Sequence, residues 1–251
     1  SGVEGSSSPA VPERAIQRLN ENIITAQAEL EEIYRFLRSY GVPPGRTQAS
    51  LHAFKSGVMS RLQYNPAARN TLSQALVSIF SDHGQDPVIR DYAVQHFASW
   101  YPDAPDKEVL ETALWSALEE TGGTIAGSAL LGLMHLTGGW PEQIDLQEVE
   151  RAALKMAGDE RCGELSRITA LQVCGRLTLK AALPLAERLA ENATSVTLQT
   201  AAIATLADLG GQEAIPVLRG YAENDNPRLA MAGRTALERL ERKENGRPIV
   251  Q

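Results

Sequence analysis

The sequence of 251 residues has few aromatic side chains, only 5% of the total, and few β-branched apolar ones. Valine and isoleucine together number 25, whereas alanine and leucine together number 64. Unbranched side chains lose less rotamer freedom in a helix than β-branched ones, so this balance favours helices over strands. The composition therefore predicts an all-α fold.

Long apolar runs are also missing. The longest, over 125–136, is interrupted by Gly127, Ser128, Gly132 and His135. It falls short of the roughly 20 apolar residues that a helix needs to cross a bilayer. We therefore predict no membrane span.

Concentrated basic stretches are the next absence. The net charge is −7, and residues 71–160 alone hold 15 acidic and 4 basic side chains, a net of −11. A nucleic-acid-binding face needs clustered cations that displace counterions from phosphates. We therefore predict no nucleic-acid partner.

The chain has only four histidines and two cysteines, and it contains no HExxH motif and no nucleophile elbow. Cys162 and Cys174 are 12 residues apart, or roughly 18 Å along a helix, which is too far for a disulfide. We predict two buried free thiols, no catalytic residues, no metal and no cofactor.

Apolar residues recur at steps of three and four between Pro12 and Arg38, and Gly41 ends the pattern. This spacing predicts a long N-terminal capping helix within 12–40. The Ser/Pro-rich start, 1–11, is predicted to be a flexible linker or an expression remnant, and 245–251 a C-terminal tail.

Beyond this helix, segments of helical period alternate with short turns. Asp86-Pro87 and Asn226-Pro227 each place a capping side chain before a proline at the first helical position. Glycine pairs such as Gly210-Gly211 are expected to close helices in the left-handed conformation.

The C-terminal third also matches itself at a shift of 32 residues, which places Ala182-Leu183-Pro184-Leu185 over Ala214-Ile215-Pro216-Val217. The second helix of successive pairs is predicted to end near Trp100, Leu136, Leu177, Leu209 and Leu240. The sequence thus predicts about five repeats of paired helices.

These repeats resemble HEAT repeats, particularly the short phycobilin-lyase HEAT-like variety. The resemblance is carried by Pro184 and Pro216, by Asp86-Pro87-Val88-Ile89-Arg90, by Ser166-Arg167-Ile168-Thr169-Ala170-Leu171 and by Asn226-Pro227-Arg228. It implies a right-handed, armadillo-type α-solenoid, a single domain over 12–244, which we expect to be a monomer. It also implies that Arg90 and Arg167 form a polar ladder between adjacent repeats rather than binding an acidic peptide.

The histidines are expected to have structural roles. His83 lies in a turn beside Asp82 and Asp86, which is more typical of a solvated turn than of an ion site. His96 and His135 are expected to pack between helices, because no nucleophile motif accompanies them.

All three tryptophans, Trp100, Trp115 and Trp140, share the acidic segment. On the predicted helix 106–120, Trp115 lies to one side of the buried stripe, beside Glu108, Glu111 and Glu119. Aromatic anchors bind and carboxylates steer a basic partner, so these six residues are the predicted partner-binding site. In the structural alternative, Trp115 packs against the next repeat and the acids keep the protein soluble.

The leading functional hypothesis is a non-enzymatic scaffold or docking module for another protein or peptide, possibly a basic one. An enzyme of the same architecture, such as a bilin lyase or a DNA glycosylase, is the first alternative. A structural spacer at the cell envelope is the second, and the sequence leaves localisation open between the cytoplasm and an exported or tethered domain.

Overall fold

The computed structural model describes residues 11–244, with side chains up to 242. Within this part of the chain the secondary structure consists of α-helices and short 3₁₀ turns, without a strand. The prediction of an all-α fold is therefore confirmed. The predicted C-terminal tail and all but one residue of the predicted linker lie outside the described range.

The helices fall into two compact units, 11–119 and 120–244. Unit 1 also contains a 3₁₀ turn at Pro66–Ala68. Its α-helices are α1 (Glu13–Asn20), α2 (Gln27–Arg38), α3 (Gln48–Leu62), α4 (Leu72–Ser81), α5 (Pro87–Trp100) and α6 (Lys107–Ala117).

Unit 2 contains the other seven helices of the described range. Two 3₁₀ turns, Lys180–Ala182 and Gly211–Ala214, lead into α10 and α12. Its α-helices are α7 (Ile125–Thr137), α8 (Leu146–Gly158), α9 (Glu164–Arg176), α10 (Leu183–Asn192), α11 (Val196–Leu209), α12 (Ile215–Ala222) and α13 (Pro227–Glu244).

Consecutive helices pack in pairs, and equivalent helices of successive pairs stack on one another. In unit 2 the pairs are α8 with α9, α10 with α11 and α12 with α13, while α7, α9, α11 and α13 form one row. In unit 1, α4 pairs with α5, α2 packs on α4 and α4 on α6. This is the packing of a HEAT-like α-solenoid, in which each helix pair buries its apolar face against its neighbours. That 12–244 forms a single domain stays a prediction.

The predicted long N-terminal helix is wrong, because the chain breaks it into α1 and α2. Asn22 adopts a left-handed φ of 55°. The Ile23 amide donates to the Arg18 carbonyl at 3.0 Å and the Asn22 amide to the Leu19 carbonyl at 3.0 Å, which together make a Schellman motif. The apolar period continues through this break, so periodicity alone did not reveal it.

Among the described residues, four helices carry a cation that donates to a carbonyl at the C-terminal end of the preceding helix. These carbonyls have no partner within their own helix. A positive charge there also interacts favourably with the negative end of the helix dipole. For Arg90 and Arg167 this contact lies inside a helix pair, and the polar ladder expected between adjacent repeats stays a prediction. The bonds are Lys55 Nζ to Leu37 O (3.0 Å) and Ser39 O (2.7 Å), Arg90 Nε to Phe80 O (2.7 Å), Arg167 Nε to Ala157 O (3.2 Å) and Arg234 Nη1 to Ala222 O (3.1 Å).

Candidate functional site

The outward face of α6 carries most of the predicted site. The opposite side of this helix buries Leu110, Ala113, Leu114 and Ala117 in unit 1. Outward from it, Glu108 is exposed and Trp115 is half-exposed, and Glu119 is exposed in the turn that follows α6. Because α6 has helical spacing, Trp115 lies two turns from Glu108 and one turn from Glu111.

A groove runs beside this face between α4 and α6. Its volume is about 370 Å³, and Glu108, Thr112 and Ser116 line it at successive helical turns. Apolar side chains form much of the rest of its wall. The full lining is Val77, Phe80, Ser81, Glu108, Val109, Thr112, Ala113 and Ser116, which we call the α4/α6 groove.

The electrostatics around the groove are negative. Residues 71–119 contain eight acidic side chains and two basic ones, Arg90 and Lys107. Arg90 donates to the Phe80 carbonyl at 2.7 Å, and Lys107 Nζ donates to the Ala104 carbonyl at 2.9 Å. Both cations keep their charge in these bonds, but eight carboxylates outnumber them, so the net charge of residues 71–119 is negative.

Trp100 is buried rather than on the surface. Its side chain is 2% exposed, and its indole Nε1 donates to Ser73 Oγ at 3.1 Å. An indole that is buried and hydrogen-bonded in this way is part of the core of unit 1. The assignment of Trp100 to a binding surface is therefore corrected.

Glu111 is engaged inside unit 1. The buried Tyr101 hydroxyl donates a hydrogen bond to its carboxylate, and burial and this bond raise the pKa of Tyr101. This internal bond leaves Glu111 less free than Glu108 or Glu119 to attract a partner.

Trp140 belongs to unit 2, whereas the other five predicted residues belong to unit 1. It is half-exposed in the turn after α7, where its amide donates to the Leu136 carbonyl at 2.9 Å. The structure thus places Glu108 and Trp115 on one face of α6, with Glu119 in the turn directly after that helix. That these residues bind a partner stays a prediction.

Sequence reasoning missed a polar cluster at Asp86. Its Oδ2 accepts a hydrogen bond from Gln48 Nε2 at 2.6 Å and lies 3.1 Å from His52 Nε2, while Oδ1 caps the Val88 amide at 2.8 Å. Partial burial opposes ionisation, but these bonds and the neighbouring His52 hold the pKa of Asp86 below its ordinary value. The Asp86-Pro87 pair indicated the cap, but no local signal connects it with His52, 34 residues earlier.

The remaining titratable candidates stand apart from one another. His96 is half-buried with Nδ1 2.8 Å from Gln63 Nε2, and desolvation by burial lowers its pKa. His135 is exposed, so its expected packing between helices is wrong. Among the described residues, no three His, Cys, Asp or Glu side chains are grouped closely enough to hold a metal ion.

Both cysteines are buried free thiols, as predicted. Burial raises the pKa of both thiols, and that of Cys174 to about 11. A buried thiol with a raised pKa is a poor nucleophile, because the thiolate is the reactive form.

Over residues 11–244, no helix combines the length and apolar character needed to traverse a bilayer. Paired helices stacked in rows define the class of the protein as a HEAT-like helical-repeat protein. No protein-family model matches the sequence, and no curated protein matches it. The fold is similar to a structure of human deoxyhypusine hydroxylase in complex with glycerol, with 17% sequence identity and a TM-score of 0.37 over 92% of this chain and 96% of that one.

This comparison corrects the prediction of a non-enzymatic scaffold. The similar structure is that of a hydroxylase, which is an enzyme. At this identity and TM-score, neither the reaction nor the site residues of the hydroxylase are carried over to this chain.

Proposed function

We propose that this chain recognises a basic segment of another protein at the outward face of α6 and the adjoining α4/α6 groove. The observation that carries the proposal is a half-exposed Trp115 among carboxylates beside an open groove. The proposal concerns recognition alone: the segment could belong to a partner or to a protein substrate, and catalytic activity of the chain is compatible with it.

The charge of the surface supports a basic occupant. Glu108 lines the groove, and the exposed Glu119 lies in the turn after α6, four residues beyond Trp115. Carboxylates arranged in this way attract cations over several ångströms, and they disfavour acidic segments by like-charge repulsion.

The apolar wall supports a segment with apolar side chains as well as cations. Val77 and Val109 are half-exposed in the groove, and Phe80 and Ala113 lie deeper. A helix or extended strand that alternates Lys or Arg with Leu offers both the charge and the apolar contact that this surface can bind.

The test is the affinity of the whole chain for a synthetic lysine- and leucine-rich amphipathic peptide, measured by calorimetry at low salt. Replacing both Glu108 and Glu119 by Lys is expected to weaken binding at least about tenfold, because close charge pairs across an interface contribute in this range. Trp115→Ala is expected to weaken it by a similar factor, because an aromatic contact beside the groove is lost.

Glu13→Lys on α1 is the control variant, because it reverses a single exposed charge in the same unit but outside the groove. A glutamate- and leucine-rich peptide is the control ligand. If Glu13→Lys weakens binding as much as Glu108→Lys or Glu119→Lys made singly, binding of the peptide depends on net charge alone and the proposed site is wrong.

A second candidate function, acid–base catalysis, is supported by the pairing of His52 with Asp86. A carboxylate that holds an imidazole in one orientation is a frequent arrangement around a general base. The His52 side chain is 14% exposed, so its ring is not sealed from solvent.

The test is turnover of chromogenic ester and phosphate substrates by the whole chain and by His52→Gln. A general base at His52 predicts a loss of about 100-fold in the variant. The exposed His135→Gln is the control and should keep the activity of the wild type. Equal rates in wild type and His52→Gln would exclude this candidate.

A further inference from the structure

A second pocket lies in unit 2, where α8 and α10 end and α9 and α11 begin. Its volume is about 350 Å³, which is in the lower range of pockets that hold small molecules. Its lining combines two arginines and other polar side chains with two leucines. The lining residues are Glu160, Arg167, Arg188, Leu189, Asn192, Ala193, Thr194 and Leu198.

The two arginines differ in how they are held. Arg167 Nε donates to the Ala157 carbonyl at 3.2 Å, which fixes the side chain along the end of α8. Arg188 is exposed, and its guanidinium makes neither a hydrogen bond nor an ion pair with any other residue of the described range. By contrast, the nearby Arg161 is neutralised by Asp159 at 2.7 Å. Arg188 thus presents an unneutralised cation at the pocket.

The acids near the pocket leave it with a net positive charge. Glu160 is the one carboxylate among the lining residues, against the two guanidinium groups. Glu164, at the start of α9, accepts a hydrogen bond from Ser195 Oγ at 2.8 Å and does not line the pocket. A ligand that carries a negative charge would therefore neutralise the net positive charge of the pocket.

The apolar lining indicates what else the ligand carries. Leu189 and Leu198 are buried, with 7% and 4% exposure, and form the apolar part of the lining. A free inorganic anion would leave this apolar surface in contact with water, whereas a small organic molecule would shield it from water.

We infer that this pocket binds a small organic molecule with one phosphate or carboxylate group, which Arg167 and Arg188 hold while Leu189 and Leu198 contact its apolar part. The planar guanidinium fork matches the spacing of oxygens in both kinds of oxyanion, so it does not by itself choose between them. This site is in unit 2 and does not depend on the function proposed for α6.

The experiment titrates the whole chain with phenyl phosphate, benzoate and inorganic phosphate, at constant ionic strength set with sodium chloride. Backbone amide shifts of 188–198 in a heteronuclear NMR spectrum report the site. Phenyl phosphate or benzoate should bind saturably and more tightly than inorganic phosphate, and the ratio of the first two identifies the preferred oxyanion. Failure of both organic probes to saturate these shifts would overturn the inference.

Three variants complete the experiment. Arg188→Gln should weaken binding about tenfold, because a charge-assisted hydrogen bond is lost, and the variant is expected to fold because Arg188 is exposed. Glu160→Gln should strengthen binding about two- to fivefold, because a like charge is removed at a solvated site. Arg219→Gln, an exposed arginine of α12 outside the pocket, should leave the affinity unchanged. Equal affinities in Arg188→Gln and wild type would refute the assignment.

Discussion

Lys55 shows how strongly the tertiary environment can change a single residue. Its side chain is 1% exposed, and its ammonium donates to the carbonyls of Leu37 and Ser39 at the end of α2. Burial lowers the pKa of Lys55 from 10.5 to about 8, and the nearby charge of Asp86 only partly opposes this. In the sequence it is one more lysine in a helical segment.

The stability of the protein should depend on Lys55 in a pH-sensitive way. Lys55→Met leaves two carbonyls without their donor, so we expect a loss of about 1–3 kcal/mol in the free energy of unfolding near neutral pH. The exposed Lys155→Met is the control and should change this free energy by less than about 0.5 kcal/mol.

The pH dependence has a defined sign. Because the pKa of Lys55 is lower in the folded chain, the unfolded chain binds more protons between pH 8 and 10.5, and stability from this group rises with pH across that window. The difference between wild type and Lys55→Met should therefore widen above pH 8. Urea unfolding of both proteins on either side of pH 8 measures it, and a narrowing difference would contradict the assignment.

At the scale of the helix, backbone packing decides which glycines matter. A Cβ at Gly233, on α13, would lie 2.4 Å from the Ala222 backbone nitrogen and 2.7 Å from the Tyr221 carbonyl carbon. A Cβ at Gly220, on the neighbouring α12, would meet no atom of another element within 4 Å. Gly233 thus permits the close approach of α12 and α13, whereas Gly220 faces open space.

The two glycines give a matched pair of substitutions. Gly233→Ala should destabilise unit 2 by about 1–3 kcal/mol, because backbone atoms must shift to make room for the methyl group. Gly220→Ala should stabilise it by about 0.5–1 kcal/mol, since alanine favours a helix that has room for it. Thermal unfolding of both variants tests the pair, and a similar change in the two would contradict it.

Helix ends show the limit of local sequence signals. The capping side chains of Asp86 and Asn226 accept from the amides of Val88 at 2.8 Å and Arg228 at 3.0 Å, as predicted. In the predicted pair Gly210-Gly211, Gly211 adopts the left-handed φ, at 59°, and after α9 it is Thr178 that does so, at 52°. The conformation of an N-cap depends on one side chain and the amides of the first helical turn. The conformation of a C-cap depends on the direction that the chain takes to reach the next helix.

At the scale of the whole molecule, the two compact units each bury their own core. Trp100 is a buried reporter of unit 1, and Trp140 is a reporter of unit 2. In a helical-repeat protein, stability is approximately a sum of local terms and interfaces between neighbours, so a local change need not spread evenly.

We therefore expect Gly233→Ala to lower the urea midpoint reported by Trp140 more than the one reported by Trp100. Variants that keep a single tryptophan, with the other two replaced by Phe, allow fluorescence to follow each unit. Equal shifts of both midpoints would show that the chain unfolds as one cooperative body, as the predicted single domain implies.

Patterns along the chain were enough to establish the helical class, the repeat of helix pairs and the N-terminal caps. These features depend on side-chain periodicity and on contacts between residues a few positions apart, and both can be read directly from the amino-acid sequence. The same patterns identified the face of α6, because Glu108 and Trp115 share that helix and Glu119 follows its end by two residues.

Which of the candidates remain on a surface depended instead on how the helices pack. Trp100 and Trp115 have similar local sequence signals, yet the first packs against Ser73 and the second stays half-exposed. The pairing of His52 with Asp86, and the pocket shared by Arg167 and Arg188, likewise join residues of different helices. Such contacts depend on how helices stack, and no local pattern encodes the resulting distance between two side chains that are far apart in the chain.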